Sequence, residues 1–258
     1  MKLLIIALTA LKSNKTRFFL ASLGIMIGIA AVIVMVAIGK GSHHEVMNVI
    51  AKMGENLLTI NAGEMKRRGG RLRLAGNVTT LNLRDVDYLS QEVSGLTLVA
   101  PFEIKEMKVK YLQVLTATNV AGSTLEFLKT RNYQIASGEM FNERDQKLRA
   151  KVAVVGNTVI KNMFGEDDPL GKTVRINAIP FKVIGIFEGK GLDSDGIDQD
   201  DILLIPINSM LRRLLNQNYI STIYAKADSR ENIDRVAVKI KTLLRDRHKI
   251  SDDAEDDF

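Results

Sequence analysis

Residues 18–38 read FFLASLGIMIGIAAVIVMVAI, a run with no charged side chain in which Ser22 is the one polar group. At a rise of about 1.5 Å per residue, a helix of this length reaches about 30 Å, the thickness of a bilayer's hydrocarbon core. A helix in the core of a soluble protein keeps a polar stripe, and this one has none. A cleaved signal peptide is the rival reading, because Lys12, Lys15 and Arg17 resemble a basic leader and Ala37-Ile38-Gly39 a small-x-small cleavage site. The apolar stretch is too long for that, since a leader's apolar core holds about 7–15 residues. An uncleaved transmembrane helix over residues 17–39 is therefore expected.

The flanks orient it. Lys2, Lys12, Lys15 and Arg17 precede the run without an acid among them, whereas Lys40 and Lys52 beyond it are balanced by Glu45 and Glu55. The positive-inside rule puts the N-terminus in the cytoplasm and the main domain in the periplasm or outside the cell. Within residues 1–16, Leu4, Ala7, Leu8 and Leu11 recur at helical spacing opposite Lys12 and Lys15, which suits a cytoplasmic amphipathic segment lying on membrane lipid. Gly24 and Gly28 form a GxxxG, extended by Ala21, which lets a second helix approach closely, so these three are the expected helix-packing residues.

The chain of 258 residues is 46% hydrophobic and 26% charged, enough to bury a core and too charged to sit wholly in lipid. The absence of Cys excludes disulfides, thiolate metal sites and Cys nucleophiles. The net charge of +6 is spread along the chain without helix-turn-helix or zinc-ligand spacing, which argues against nucleic acid as a partner.

After the membrane run, Val46, Val49, Ile50 and Met53 share a helical face and Gly54 offers a C-cap, so a stalk helix is expected over residues 40–54. A strand is expected over 55–61. Residues 65–76 carry Lys66, Arg67, Arg68, Arg71 and Arg73 around a Gly-Gly pair and read as a solvated loop able to meet anionic lipid or substrate. Asn82 predicts a capped helix over 83–92 with Val86 and Leu89 inward, followed by strands over 96–102, 107–111 and 113–120. Further on the pattern predicts a short helix at 125–128, a strand at 151–155, a helix at 157–164, and a hairpin over 173–186 turning at Ala178-Ile179-Pro180. A buried strand over 202–205 closes at Pro206, with Asn208 or Ser209 capping the next helix, and a further strand spans 223–227. Ile233, Val236, Ala237, Ile240, Leu243 and Leu244 form one face of a last helix, with Asp228 and Glu231 as its capping box and a solvated acidic tail beyond. The alternation is α+β rather than repeated βαβ.

Several constellations invite a chemical reading and fail it. His43-His44-Glu45 sits on a predicted helix, where adjacent residues point about 100° apart and no third ligand follows, so no metal is expected. The segment from Gly165 to Thr173 resembles a phosphate-binding loop. It has one residue too many between its glycines, follows a helix, and places acids and Pro169 where amides should cradle phosphate. Asp193, Asp195, Asp198, Asp200 and Asp201 lack EF-hand spacing, with Ile197 at the fifth position and Gly196 too early. No Ser-His-Asp, Cys-His or HExxH pattern is present, so no catalytic residue is expected and the chain is not read as an enzyme.

Taken together, a set of short motifs resembles the MacB-type periplasmic core region of ABC transporter permeases, the superfamily that includes lipoprotein-releasing and FtsX-like permeases. They are the glycine-bearing membrane run from Leu23 to Ile33, Ala37-Ile38-Gly39-Lys40-Gly41 at its exit, and the stretch from Gly54 to Ile60. Next come Gly138-Glu139-Met140-Phe141, the strand from Val152 to Gly156, Phe164-Gly165 with Pro169-Leu170-Gly171-Lys172, the stretch from Phe181 to Gly185, and Asp200-Asp201 before Pro206. Each is weak alone; their order and spacing are specific. Glu139 departs from the family, which usually carries Arg there.

The resemblance implies a fold: an N-terminal transmembrane helix and helical stalk, then a porter-like α+β subdomain split over residues 55–118 and 221–258, with a second α+β subdomain inserted at 119–220. It also implies a permease subunit that works by movement, with ATP bound by a partner ATPase and no cofactor in this chain. Expected partners are that ATPase, a second permease as homodimer or heterodimer, and a periplasmic adaptor, all at the cell inner membrane. Asp256-Asp257-Phe258 resembles the lead into a further transmembrane helix. The competing reading is a single-pass membrane-anchored binding or regulatory module.

Overall fold

The computed structural model describes residues 15–53, 56–68, 71–75, 79–193, 196–251 and 253–258; the side chains of 17, 18, 21, 42–53 and 64–75 lie outside that description. The chain divides into two units, Met1–Val49 and Ile50–Phe258.

In the first unit the helix α1 begins at Lys15, and it runs without a break to Met53. Its segment Ser22–Gly41 is long and apolar enough to cross a membrane, and none of it is buried. Every large apolar side chain described there is more than a third exposed, up to 75% at Met35. A soluble protein's core helix would bury those groups, and this helix buries none of them. The expected amphipathic segment at 1–14 lies outside the described residues.

The second unit carries one mixed sheet in the order β1-β11-β4-β5-β10-β7-β9-β6, with β8 pairing β4 and β9. Its strands are β1 (Leu57–Asn61), β4 (Leu96–Tyr111), β5 (Val114–Ser123), β6 (Ile135–Gly138), β7 (Val152–Val155), β8 (Thr173–Ile176), β9 (Ile179–Phe187), β10 (Ile202–Pro206) and β11 (Thr222–Ala227). β10 runs parallel to β5, and β7 parallel to β9; the other pairs are antiparallel. Helices α2 (Leu83–Glu92), α3 (Glu126–Thr130), α4 (Glu143–Leu148), α5 (Asn157–Met163), α6 (Ile207–Ser209) and α7 (Ile233–His248) accompany it. A π-helical turn, Met210–Leu215, extends α6.

Three apolar clusters hold this unit together. The first joins α2 and α7 to β1, β11 and the start of β4 through Leu89, Ile223, Val236, Ile240 and Leu244. A second lies under the distal half of β4, with Val109, Phe181, Leu203 and Met210. The third is aromatic: Phe102 stacks on Phe127 at 5.3 Å, Phe127 on Tyr133 at 5.2 Å, and Tyr133 meets Phe187 at 4.9 Å.

Two resemblance motifs acquire a steric reason. A Cβ at Gly138 (φ +79°) would fall 2.2 Å from the Ile184 carbonyl oxygen, and one at Gly185 would fall 2.4 Å from that of Glu139. Each glycine therefore lets the other strand's backbone close in, and β6 seats on β9 only because both lack side chains.

Several expectations need correction. Within 65–76, expected as a loop, the described residues form two paired antiparallel strands, β2 (Glu64–Arg68) and β3 (Arg71–Ala75). The strands expected over 96–102 and 107–111 are one continuous β4; Lys105 and Glu106 are exposed positions of the Phe102–Tyr111 ladder that pairs with β5. The β8–β9 turn is Asn177-Ala178, both left-handed at φ 44° and 72°, as a two-residue hairpin loop demands, and Pro180 sits in β9 opposite Arg175. Asn208 and Ser209 do not cap α6: Asn208 donates to the Gln146 carbonyl and Ser209 to that of Ala150. The N-cap of α7 is Asn232, which makes no side-chain cap bond and instead donates to Asp228, so the expected capping box is absent.

Candidate functional site at the meeting of first and last segments

The capping chemistry of α2 starts the site. Asn82 accepts from the Arg84 amide, and Asp85 accepts from the Asn82 amide at 2.8 Å, a reciprocal box that fixes the helix start. Asp85 is 1% exposed, and its other oxygen meets Arg247 Nε at 2.6 Å. Arg247 in turn lies 4.7 Å above the Tyr88 ring. A buried carboxylate is stable only when paired and hydrogen-bonded, and Asp85 is both.

The last turn of α7 carries this pair to the end of the chain. His248 Nδ1 lies 2.8 Å from Asp257 Oδ1, while its Nε2 is 3.6 Å from Asp85 Oδ2. Asp256 is gripped by Lys241 at 2.7 Å and Arg245 at 2.5 Å. Burial opposes the charge on Asp256, and the two cations outweigh that effect and hold its carboxyl below the ordinary value. Arg245 also donates to the carbonyls of Ser251 and Ala254. Phe258 packs on the first apolar cluster and meets the His248 ring edge-on. The acidic end is therefore docked through residues 256–258, while Asp253 and Glu255 are exposed; the cations of α7, at i and i+4 along one face, supply partners for Asp256.

The first segment of this unit closes on the same place. The Asp257 carbonyl accepts from the Gly63 amide at 2.8 Å and from Thr80 Oγ1 at 2.7 Å. Gly63, just after β1, and Thr80, just ahead of α2, are thus joined to the last segment through one peptide group.

The other predicted positions serve structure. Asp200 receives the amides of Lys190 and Gly191, Asp201 receives Thr118 and Asn119, and Asp198 receives Thr158 and the Asp200 amide. These carboxylates organise a loop, and no group of metal-binding residues occurs among the described residues. From Gly165 to Thr173 the chain is a turn whose Gly171 amide donates to the Val183 carbonyl. Glu139 is exposed and makes no ion pair among the described residues. Gly24 and Gly28 face open space, with nothing within 4 Å of an added Cβ, while the side chains of Ala21, His43 and His44 fall outside the described set. Sequence reading missed Asp85, Arg247, His248 and Asp257; the Asn82-x-x-Asp85 spacing was a visible signal for the first alone.

The family described as "MacB-like periplasmic core domain" matches residues 18–243. Macrolide export ATP-binding/permease protein MacB of Chlorobaculum tepidum is 34% identical over 98% of this chain and 38% of its own length. The protein of the same name from Wolinella succinogenes is 34% identical over 94% of this chain and 37% of its own. The chain thus spans under two fifths of the curated relatives it matches. Among solved structures, the periplasmic region of MacB from Actinobacillus actinomycetemcomitans superposes with a TM-score of 0.66 at 24% identity, covering 80% of this chain and 90% of that one. The extracellular domain of the transporter YknZ from Gram-positive bacteria gives 0.61 at 21%, covering 75% and 96%. These likenesses show a shared fold.

Proposed function

The chain belongs to the MacB-like periplasmic core domain family, and from that premise we propose that it is a permease subunit of an ABC transporter that moves a substrate at the outer face of the inner membrane. The observation that supports this reading is an exposed apolar helix, Ser22–Gly41, long enough to cross a membrane, in the same chain as a family fold whose first and last segments are tied together. A domain anchored in this way passes a displacement of its membrane end to its sheet without any covalent step. In this reading the N-terminus is cytoplasmic and the second unit periplasmic or extracellular. The porter-like part spans 55–118 and 221–258, and the inserted part 119–220.

The curated relatives' names join ATP binding to permease. The phosphate-loop-like segment from Gly165 to Thr173 is a turn lined by acids, which supports a reading in which ATP is bound by an ABC ATPase partner rather than by these residues. Ala21, Gly24 and Gly28 form the face on which another membrane helix packs, from a second permease copy or a related one, and a periplasmic adaptor meets the inserted part.

The test is a pull-down of the full chain, expressed in its own host, from detergent-solubilised membranes. An ABC ATPase should co-purify, and its ATP turnover should change when this chain is removed. Isolation of the chain alone, with no ATPase in repeated preparations, would instead favour a single-pass anchored module.

A further inference from the structure

Between the start of α2, the π-helical turn after β10 and the end of α7 lies an open cavity of about 690 Å³, within the range of about 300–1,000 Å³ that suits a small ligand. Arg84, Arg212, Arg247, His248, Asn208 and Tyr219 are among its lining residues. Among the described residues Asp85 is the one acid that lines it, and both its oxygens are engaged, by the Asn82 amide and by Arg247. Arg84 and Arg212 are exposed and form no ion pair among the described residues. The cavity therefore holds two uncompensated guanidinium groups, and the positive end of the α2 dipole lies beside them.

A second observation points to a ligand. His248 has a side chain only 10% exposed, and its Nε2 is buried without a hydrogen-bond partner, 3.6 Å from Asp85 Oδ2. Buried polar nitrogens in native structures are normally satisfied, and this one is covered from solvent, so the wall of the cavity holds a polar group whose bonding is incomplete. The π-helical turn points the same way, since such turns recur at functional sites and this one carries Arg212.

We infer that this cavity binds a small organic anion, its carboxylate or phosphate held by the guanidinium forks of Arg84 and Arg212, with Asn208 and Tyr219 offering hydrogen bonds to the rest of the ligand. Guanidinium matches the paired oxygens of either group, which is why the two share one recognition chemistry. The inference does not depend on the transport reading.

Calorimetric titration of the full chain in detergent at low salt, with citrate, glycerol 3-phosphate and inorganic phosphate in separate runs, tests it. At least one anion should bind with a Kd below about 1 mM, and which one binds separates a carboxylate from a phosphate source. The Arg84→Gln/Arg212→Gln double variant should bind that anion at least about tenfold more weakly, at an unchanged melting temperature because neither side chain is buried or paired. Should the double variant melt lower, Arg212→Lys, which keeps the charge and loses the fork, should still bind several-fold more weakly. Failure of all three anions to bind up to about 20 mM, or equal binding by the variants, would overturn the inference.

Discussion

Asp85 closes the N-cap of α2 and neutralises Arg247, which lies 162 residues away in the chain. Its loss strands a cation and opens a helix end together. Breaking a buried pair costs about 3–5 kcal/mol, and Arg247 is 30% exposed, so Asp85→Ala should cost about 3 kcal/mol in urea unfolding, the low end of that range. Glu103 shows the opposite balance. Burial raises its carboxyl above the ordinary value, more strongly than the Ser221 hydrogen bonds lower it. The folded chain then binds that proton more tightly than the unfolded chain, so stability from this group falls as pH rises from the ordinary carboxylate value through the raised one. Glu103→Gln keeps an acceptor for the Ser221 amide, 2.6 Å away, and removes the charge. Its melting temperature should exceed that of the wild type at pH 8, and the difference should shrink towards pH 5; a constant difference would contradict the argument. The Asn82-x-x-Asp85 box was readable from local spacing, but its ion pair was not, because no periodicity relates residues so far apart.

At the scale of elements, α7 shows what a sequence pattern can and cannot settle. Its apolar face was legible, and Val236, Ile240 and Leu244 are the residues it buries, while Val238 is 66% exposed. Leu244→Ala should cost about 3 kcal/mol, the mid-range for a buried leucine, whereas Val238→Ala should stay within about 0.5 kcal/mol. Comparing the two by urea titration checks that the face, and not helix propensity, provides the stability. What that face does not announce is that Lys241 and Arg245, off it, hold Asp256 of the final segment. In α1 the space around Gly24 and Gly28 is empty. Gly24→Leu with Gly28→Leu should therefore leave the unfolding of the second unit unchanged and reduce co-purification with other membrane helices; undiminished co-purification would remove the packing role. The β2–β3 pair escaped notice because its strands are charged and lack the β-branched alternation that announces a strand.

At the scale of the whole second unit, one join ties Gly63 and Thr80 to the last segment. Asp256→Ala with Asp257→Ala removes the ion pairs of the last segment but not its backbone, so the bond from the Gly63 amide to the Asp257 carbonyl should open more often. Hydrogen exchange at Gly63 should quicken severalfold, while amides in β4 and β5 keep their rates. Protection at Gly63 as strong as in the wild type would show that the ion pairs do not hold the join. The sequence by itself determined the long apolar helix, the α+β character and most strands, because these follow from runs and periodicities within a few residues of one another. Only the tertiary structure decided that the acidic end is docked, that Asp85 meets Arg247 and His248, and that Arg84 and Arg212 share a cavity. Those contacts depend on which surfaces the sheet brings together, and hydrophobic periodicity carries no information about distant charges.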